Sequence, residues 1–493
     1  MKASNCVALC LVVLATLIGG CQAAERSDRP NVVIILADDL GYGDVRANNP
    51  NSPIPTPHLD ALAAGGVRFT DAHSPSAVCT PTRYGLVTGR YCWRSKMKRG
   101  VLNGYSAHLI DPDRYTIADL MKDAGYNTAC IGKWHLGMDM PKQADGKSWD
   151  WTGTINNGPN VNGFDYFYGI TASLDFPPYV YVENDQFATP VTGRVEKKAF
   201  PAFWREGELG DGFVHRESLD HLTEKVVGYI AEHAGKDEPF FLYFPLTSPH
   251  KPTLPAERFV GKSGIGPYGD FIIQTDDVLG RVDQALQDAG VKDNTLVIFT
   301  SDNGSYMYRY NDDQPDHTDD DTIQAYRATT HTANHIYRGT KADIHESGHR
   351  VYFAARLPGT IEPGSVADRA VSHVDLLATL ADLTGQDVPA DAADDSYSML
   401  PLMLGEADAH ERAPVIMHSG NGTFAIRMGK WKLIAGSGSG GRGAPRSKPF
   451  DRPYQLYDLE SDPSETTSLI EERADVARTM EQLLLLMLGP DAP

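Results

Sequence analysis

Asn31-Val32-Val33-Ile34-Ile35-Leu36-Ala37, running straight into Asp38-Asp39, is the stretch that decides the fold. A near-continuous run of Val, Ile and Leu at strand length has no polar face, so it suits a central strand buried on both sides. Phe240–Phe244 and Thr295–Thr300 repeat the texture. Helical patterns lie around them at His58–Ala64, Ile117–Ala124, Ser218–Ala234, Gln274–Ala289 and His373–Leu383. Strands alternating with helices predict an α/β fold, a large and mainly parallel sheet sandwiched by helices. Ligands of such sheets bind beyond the carboxyl ends of the strands. Asp38-Asp39 and Asp302-Asn303 both sit there.

After Asp391 the texture changes. Phe424–Ile434 and Tyr454–Leu459 read as strands of a smaller antiparallel sheet, and Glu471–Leu488 as a closing helix. The expected division is a catalytic domain over 28–390 and a C-terminal subdomain over 391–493. Gly436–Lys448, rich in Gly, Ser and Pro, lacks the Lys-Ser/Thr ending of a phosphate-binding loop and reads as a flexible connection. Asn311–His335 is acidic, has little periodicity and reads as a long surface loop.

Residues 1–24 have the form of a secretory leader, with Lys2 before the apolar core Val7–Ile18. That core falls short of the ~20 residues a spanning helix needs. Leu17-Ile18-Gly19-Gly20-Cys21 resembles a lipobox that would anchor the chain through Cys21. Cys21-Gln22-Ala23 also fits ordinary cleavage, so periplasmic, secreted and lipid-anchored forms all stay open. Export is the common expectation. Outside the leader only Cys79, Cys92 and Cys130 remain, an odd and sparse set that argues against a disulfide framework, sets one cysteine apart and leaves Cys92 and Cys130 as a pair or as two buried thiols. Over 493 residues the formal charge is -20, which argues against nucleic-acid and anionic-membrane binding. An anionic substrate would need a locally basic pocket.

Such a pocket can be assembled from the motifs. Asp38, Asp39, Asp302 and Asn303 offer only oxygen donors, the preference of hard cations such as Ca²⁺ rather than zinc. The cationic partners are Arg83, Lys133, His135, His250 and Lys341. Lys133 and His135 lie two apart in Gly132–Gly137, and in an extended stretch would project to the same side. His250 sits between prolines after a strand, and Lys341 follows Arg338-Gly339-Thr340. Together they suit binding of a tetrahedral anion with proton transfer. Cys79-Thr80-Pro81-Thr82-Arg83 places a cysteine at the start of a helical segment, where backbone N–H groups and a positive dipole end are available to an anion. No protease-like signature surrounds that cysteine.

Cys79–Arg83 resembles the C-x-P-x-R signature of type I sulfatases, in the alkaline phosphatase superfamily. The resemblance continues through Leu86–Arg90, Gly132–Gly137, Ser248-Pro249-His250, Asp302-Asn303-Gly304, Gly429–Lys432 and Tyr457–Pro463, covering residues 28–470. Thr82 and Ser347 are small departures. The resemblance implies that Cys79 is oxidised to formylglycine by a modifying enzyme, and that Ca²⁺ is held by Asp38, Asp39, Asp302, Asn303 and residue 79. It also implies that Arg83 and Ca²⁺ ionise the nucleophile, Lys133 and Lys341 hold the sulfate, His250 protonates the departing alcohol and His135 takes the proton that frees sulfate. Export implies sulfated carbohydrates as substrates. Ser173–Tyr179 is similar to segments of bacterial relatives acting on galactose-type sugars, which leans the substrate toward exo-cleaved 6-O-sulfate. Tyr105, His108, Asp175, Tyr179, His215, Arg216 and His345 lie in loops that could line the sugar pocket. The rival readings are a phosphonate or phosphate monoester hydrolase, and a catalytically silent glycan-binding lipoprotein in which Cys79 stays a thiol.

Overall fold

The computed structural model describes residues 29–406 and 412–489. The leader at 1–24 and its Cys21 lie outside the described residues. The main sheet has ten strands: β1 (Asn31–Asp38), β2 (Val67–Phe69), β3 (Asn127–Lys133), β4 (Tyr166–Ile170), β5 (Val182–Glu183), β6 (Gln186–Phe187), β7 (Phe240–Pro249), β8 (Thr295–Ser301), β9 (Phe353–Arg356) and β10 (Ser365–Ala367). Their spatial order is β10-β2-β9-β8-β1-β7-β3-β4-β5-β6. β8, β1, β7, β3 and β4 form a parallel centre. β9 and β5 run against their neighbours. The sheet is mainly parallel, as the apolar runs predict.

β1 is buried along its whole length. Its residues alternate between two cores. Val32, Ile34 and Leu36 join one face, with α2 (Cys79–Thr88), α3 (Ile117–Asp123) and a further helix at Leu376–Thr384. Val33, Ile35 and Ala37 join the other, with α1 (Pro57–Ala64), α4 (Ser218–His233) and α5 (Pro267–Asp288). α5 starts before the expected Gln274 because Pro267 opens it, where a missing N–H costs nothing. Cys92 and Cys130 are buried free thiols.

The smaller sheet is antiparallel and four-stranded: β11 (Val415–His418), β12 (Phe424–Met428), β13 (Trp431–Ile434) and β14 (Gln455–Asp458). The run Phe424–Ile434 is therefore a hairpin, turning at Gly429 with φ 55°. The closing helix, Ala474–Leu488, packs Met480, Leu484 and Leu488 onto it. Two segments read as loose are held. In the acidic stretch, Asp316, His317, Tyr326 and His331 are buried. In the Gly-Ser stretch, the amides of Arg442 and Gly443 donate to Asp343 Oδ1 at 2.7 and 2.8 Å. Among the described residues no helix is long and apolar enough to cross a membrane.

Candidate active site

β1 and β8 pair in parallel with Ala37 opposite Ser301, so the residues that follow each strand emerge side by side. Asp39 turns the chain through a left-handed φ of 70°, a conformation Asp tolerates better than most residues. Its amide donates to Asp302 Oδ1 at 3.2 Å, and Asn303 Nδ2 donates to Asp39 Oδ1 at 2.7 Å. Gly304 follows because backbone crowds in here: a Cβ would lie 1.7 Å from the carbonyl oxygen of Ser347.

Three cations meet the three carboxylates. Arg83, one turn into α2, donates from Nε and Nη2 to Asp302 Oδ2 at 3.1 and 2.8 Å. Its Nη1 donates to the Lys133 carbonyl at 2.9 Å. Lys133, the last residue of β3, places Nζ 2.6 Å from Asp38 Oδ2. Lys341 places Nζ 2.5 Å from Asp39 Oδ1 and 3.4 Å from Cys79 Sγ. That sulfur also lies 3.6 Å from Asp38 Oδ1. His250 Nε2 is 3.6 Å from Asp39 Oδ2, its Nδ1 being 2.5 Å from the Lys251 carbonyl. All these side chains are buried.

Burial sets the charge states. It pushes the Cys79 thiol up to about 12 even though Lys133 and Lys341 oppose it, so the unmodified sulfur is a protonated, poor nucleophile at neutral pH. Burial raises Asp38 to about 7 against the pull of Lys133. At Asp302 burial is overcome by Arg83, Lys133 and Lys341, which hold it at about 2. Burial followed by the Lys341 and Lys133 charges keeps His250 well below the ordinary imidazole range. Burial, Lys133 and Arg83 do the same to His135. His135 has φ 58°, which breaks strand alternation after Lys133, so the two do not share a side by simple pleating. Its Nε2 meets the Leu102 carbonyl at 2.8 Å, and its buried Nδ1 has no partner among the described residues.

The donors suit a hard divalent cation. Ligand atoms of Asp38, Asp39, Cys79 and His250 lie within 4.8 Å of one another. Asn303 Oδ1 is buried without a hydrogen-bond partner among the described residues. An orphaned amide oxygen beside two carboxylates fits Ca²⁺ better than zinc. Asp302 falls outside that group, its oxygens taken by Arg83 and the Asp39 amide.

The family described as Sulfatase matches residues 30–386, which hold the whole cluster. The chain belongs to the sulfatase family. A second family, described as N-sulphoglucosamine sulphohydrolase, C-terminal, matches residues 339–487. This sulfatase is 36% identical to an N-acetylgalactosamine-6-O-sulfatase of Bacteroides thetaiotaomicron, covering 93% of each chain. It is 33% identical to human arylsulfatase A, covering 94% of this chain and 88% of that protein. Among solved structures, a protein from work on glycosaminoglycan metabolism by Bacteroides thetaiotaomicron superposes with a TM-score of 0.82 at 34% identity, covering 94% of this chain and all of the other. A phosphonate monoester hydrolase of Agrobacterium radiobacter shares the fold alone, with a TM-score of 0.60 at 19% identity. The enzyme is a sulfuric ester hydrolase, and the phosphonatase and silent-binder readings are not favoured.

Each residue expected to line a sugar pocket already has contacts within the protein. Asp175 is buried, paired with Arg205 at 2.6 Å and with Oδ1 unpartnered among the described residues. Tyr105 stacks on Trp149 at 5.4 Å and donates its hydroxyl to Glu208, while His108 Nδ1 meets the Gly137 carbonyl at 3.3 Å. The others are engaged in packing. His215 stacks on Trp204 at 4.3 Å and against Tyr179 at 4.5 Å. Arg216 donates to the Pro255 carbonyl and pairs with Glu257. His345 is buried, with Nε2 3.4 Å from Gln455 in the small sheet. One cation went without a role in the sequence reading. Lys251 follows His250 directly, and its Nζ lies 4.8 Å over the Phe203 ring. Burial, Arg442 and Lys341 lower it to about 8. Its adjacency to His250 was the available signal.

Proposed function

We propose that this sulfatase removes sulfate esters from sulfated carbohydrates, with residue 79 converted to formylglycine and Ca²⁺ in the carboxylate cluster. The observation that carries this reading is the convergence of Lys341, Asp38 and the start of α2 on a Cys79 side chain that is inert as a thiol. Formylglycine would supply a hydrated aldehyde, with one hydroxyl to attack sulfur and a second to release sulfate. Ca²⁺, held by Asp38, Asp39, Asn303 and Asp302, would supply positive charge at the sulfate oxygens. Lys133 and Lys341 then turn their ammonium groups to the sulfate, fixing its orientation and offsetting charge as it builds. His250 Nε2 faces the same space. A bound sulfate ester favours its protonated form, so it can donate to the departing alcohol. Nδ1 of His135, free of any partner, is the acceptor for the proton whose loss frees sulfate.

The substrate reading leans to 6-O-sulfate on galactose-type sugars, exo-cleaved, supported by the names of two relatives, the bacterial 6-O-sulfatase and a mouse N-acetylgalactosamine-6-sulfatase at 30% identity. Tyr105, His108 and Asp175 are the proposed sugar contacts. A modifying enzyme that oxidises Cys79 is the required partner. Export through the 1–24 leader, with or without a lipid at Cys21, completes the reading, as does division into a catalytic domain over 28–390 and a C-terminal subdomain.

The test is mass spectrometry of the tryptic peptide Phe69–Arg83 from protein made in a host with a sulfatase-modifying enzyme, followed by assay on 6-O-sulfated galactose and N-acetylgalactosamine. An aldehyde at position 79 and released sulfate are expected. An intact thiol in active enzyme would overturn the nucleophile, and a modified enzyme inert on both sugars would overturn the substrate. Removing divalent cations with a chelator is expected to lower kcat by about 10²–10³-fold. Ca²⁺ should restore it and Zn²⁺ should not, because the donors are oxygens.

A further inference from the structure

A cavity of about 840 Å³ opens between the β2 end of the main sheet and the small sheet, and no residue of the catalytic cluster lines it. Its wall is basic in a chain of charge -20. Arg350, Arg369, Arg412, Arg427 and Lys430 line it, against the acids Asp71, Asp368 and Glu460. Several of these cations are neutralised locally. Arg412 forks onto Asp375 at 2.7 and 2.9 Å. Lys430 pairs with Asp458 at 2.6 Å. Arg350 uses Glu346 at 2.7 Å and Asp71 at 2.5 Å.

Arg427 is different. It is only 8% exposed, and among the described residues its single ionic contact is Nη2 to Asp71 Oδ2 at 3.1 Å. That carboxylate is already shared with Arg350 and with His73 at 2.8 Å. Arg427 Nε and Nη1 are buried and have no hydrogen-bond partner among the described residues. Unmade hydrogen bonds on a buried guanidinium are costly, and a guanidinium is shaped to grip oxyanions through two N–H groups at once. Arg369, exposed on the rim, has no ion pair among the described residues.

We infer that this cavity is a second, non-catalytic binding site for a sulfate group, gripped by Arg427 with Arg369 at the rim. The sulfate is either inorganic sulfate or an ester carried on a glycan whose other end is being processed. Either source presents the same oxygens to Arg427.

The experiment is crystallography of the full-length enzyme soaked in selenate, read by selenium anomalous scattering. Two peaks are expected, one at Lys133 and Lys341 and one at Arg427. Arg427→Gln should lose only the second. Should that variant fail to fold because Asp71 loses a partner, Arg427→Lys and Arg369→Gln keep the test open. Each is expected to weaken cavity binding by about tenfold, the loss of one charged hydrogen bond. A filled catalytic site with an empty cavity in the wild type would overturn the inference. This readout needs no turnover, so it stands or falls separately from the reading of the reaction. Kinetics then separate the two sources. If Arg427→Gln raises KM about tenfold on a sulfated polysaccharide and leaves KM on a sulfated monosaccharide unchanged, the ligand is glycan-borne. If neither KM moves although the selenate peak is lost, the ligand is inorganic sulfate.

Discussion

Cys79→Ala is expected to lower kcat for sulfate release by at least about 10⁴-fold, the scale on which loss of a nucleophile acts. The fold should barely notice. Sγ makes two long contacts, to Asp38 and Lys341, and the thiol carries no charge at neutral pH. Thermal melting within a degree or two of the wild type is therefore part of the expectation. Cys79→Ser is the more searching variant. It restores one hydroxyl at the position where formylglycine hydrate would offer two. One hydroxyl can take up sulfate but has no neighbour to expel it. At most one equivalent of alcohol should appear per enzyme, and the protein should gain the mass of one sulfuryl group, SO3, carried on the serine oxygen. Continuous turnover by Cys79→Ser would sink the two-hydroxyl mechanism and make a simple hydroxyl nucleophile sufficient. Continuous turnover by Cys79→Ala would remove position 79 from the chemistry altogether.

The cluster was legible in the sequence because its parts lie at strand ends and helix starts, where local pattern and chemistry coincide. β1 and β8 announce themselves as apolar runs, and Asp38, Asp39, Asp302 and Asn303 are simply the next residues. β3 was not legible, although it delivers Lys133. Asn127-Thr128 open it and Gly132-Lys133 close it, leaving Ala129-Cys130-Ile131 as its apolar part. Its strand state comes from pairing with β7 and β4, which no local pattern records. The same limit explains His345. Four residues after Lys341 it reads as a pocket residue, yet the chain turns it toward Gln455 of the small sheet. The Gly-Ser stretch misled for a related reason. Its glycines serve close packing, since a Cβ on Gly441 would lie 2.2 Å from the Ala342 carbonyl oxygen. Composition alone cannot separate a loose loop from one that is pressed against the segment carrying Lys341.

Lys432→Met is expected to cost about 3–5 kcal/mol of stability, the usual result of removing one partner from a buried ionic set. Lys432 is fully buried in β13. Its Nζ lies 3.0 Å from Glu346 Oε1, 2.8 Å from Glu465 Oε1 and 3.1 Å from His349 Nε2. One ammonium thus ties the small sheet to the segment that follows Lys341. It also pairs with the one carboxylate of the His73, Glu346 and His349 group, so that charge is already neutralised. Burial would raise Glu346, but Lys432 and Arg350 hold it well below the usual carboxylate range. Burial raises Glu465 to about 7 despite Lys432. Without the ammonium, Glu465 rises further above its unfolded-chain value, and Glu346 loses the larger of the two charges that hold it down. The folded variant then binds more protons than the unfolded one, so its stability falls as pH rises. The deficit against wild type should be larger at pH 8 than at pH 5, and Lys432→Met with Glu465→Gln should recover part of it. For a chain of this length the loss corresponds to a fall in Tm of about 3–5 °C. A pH-independent deficit would show that Lys432 acts by packing its stem. No deficit would show that Arg350 alone suffices to hold Glu346 in place.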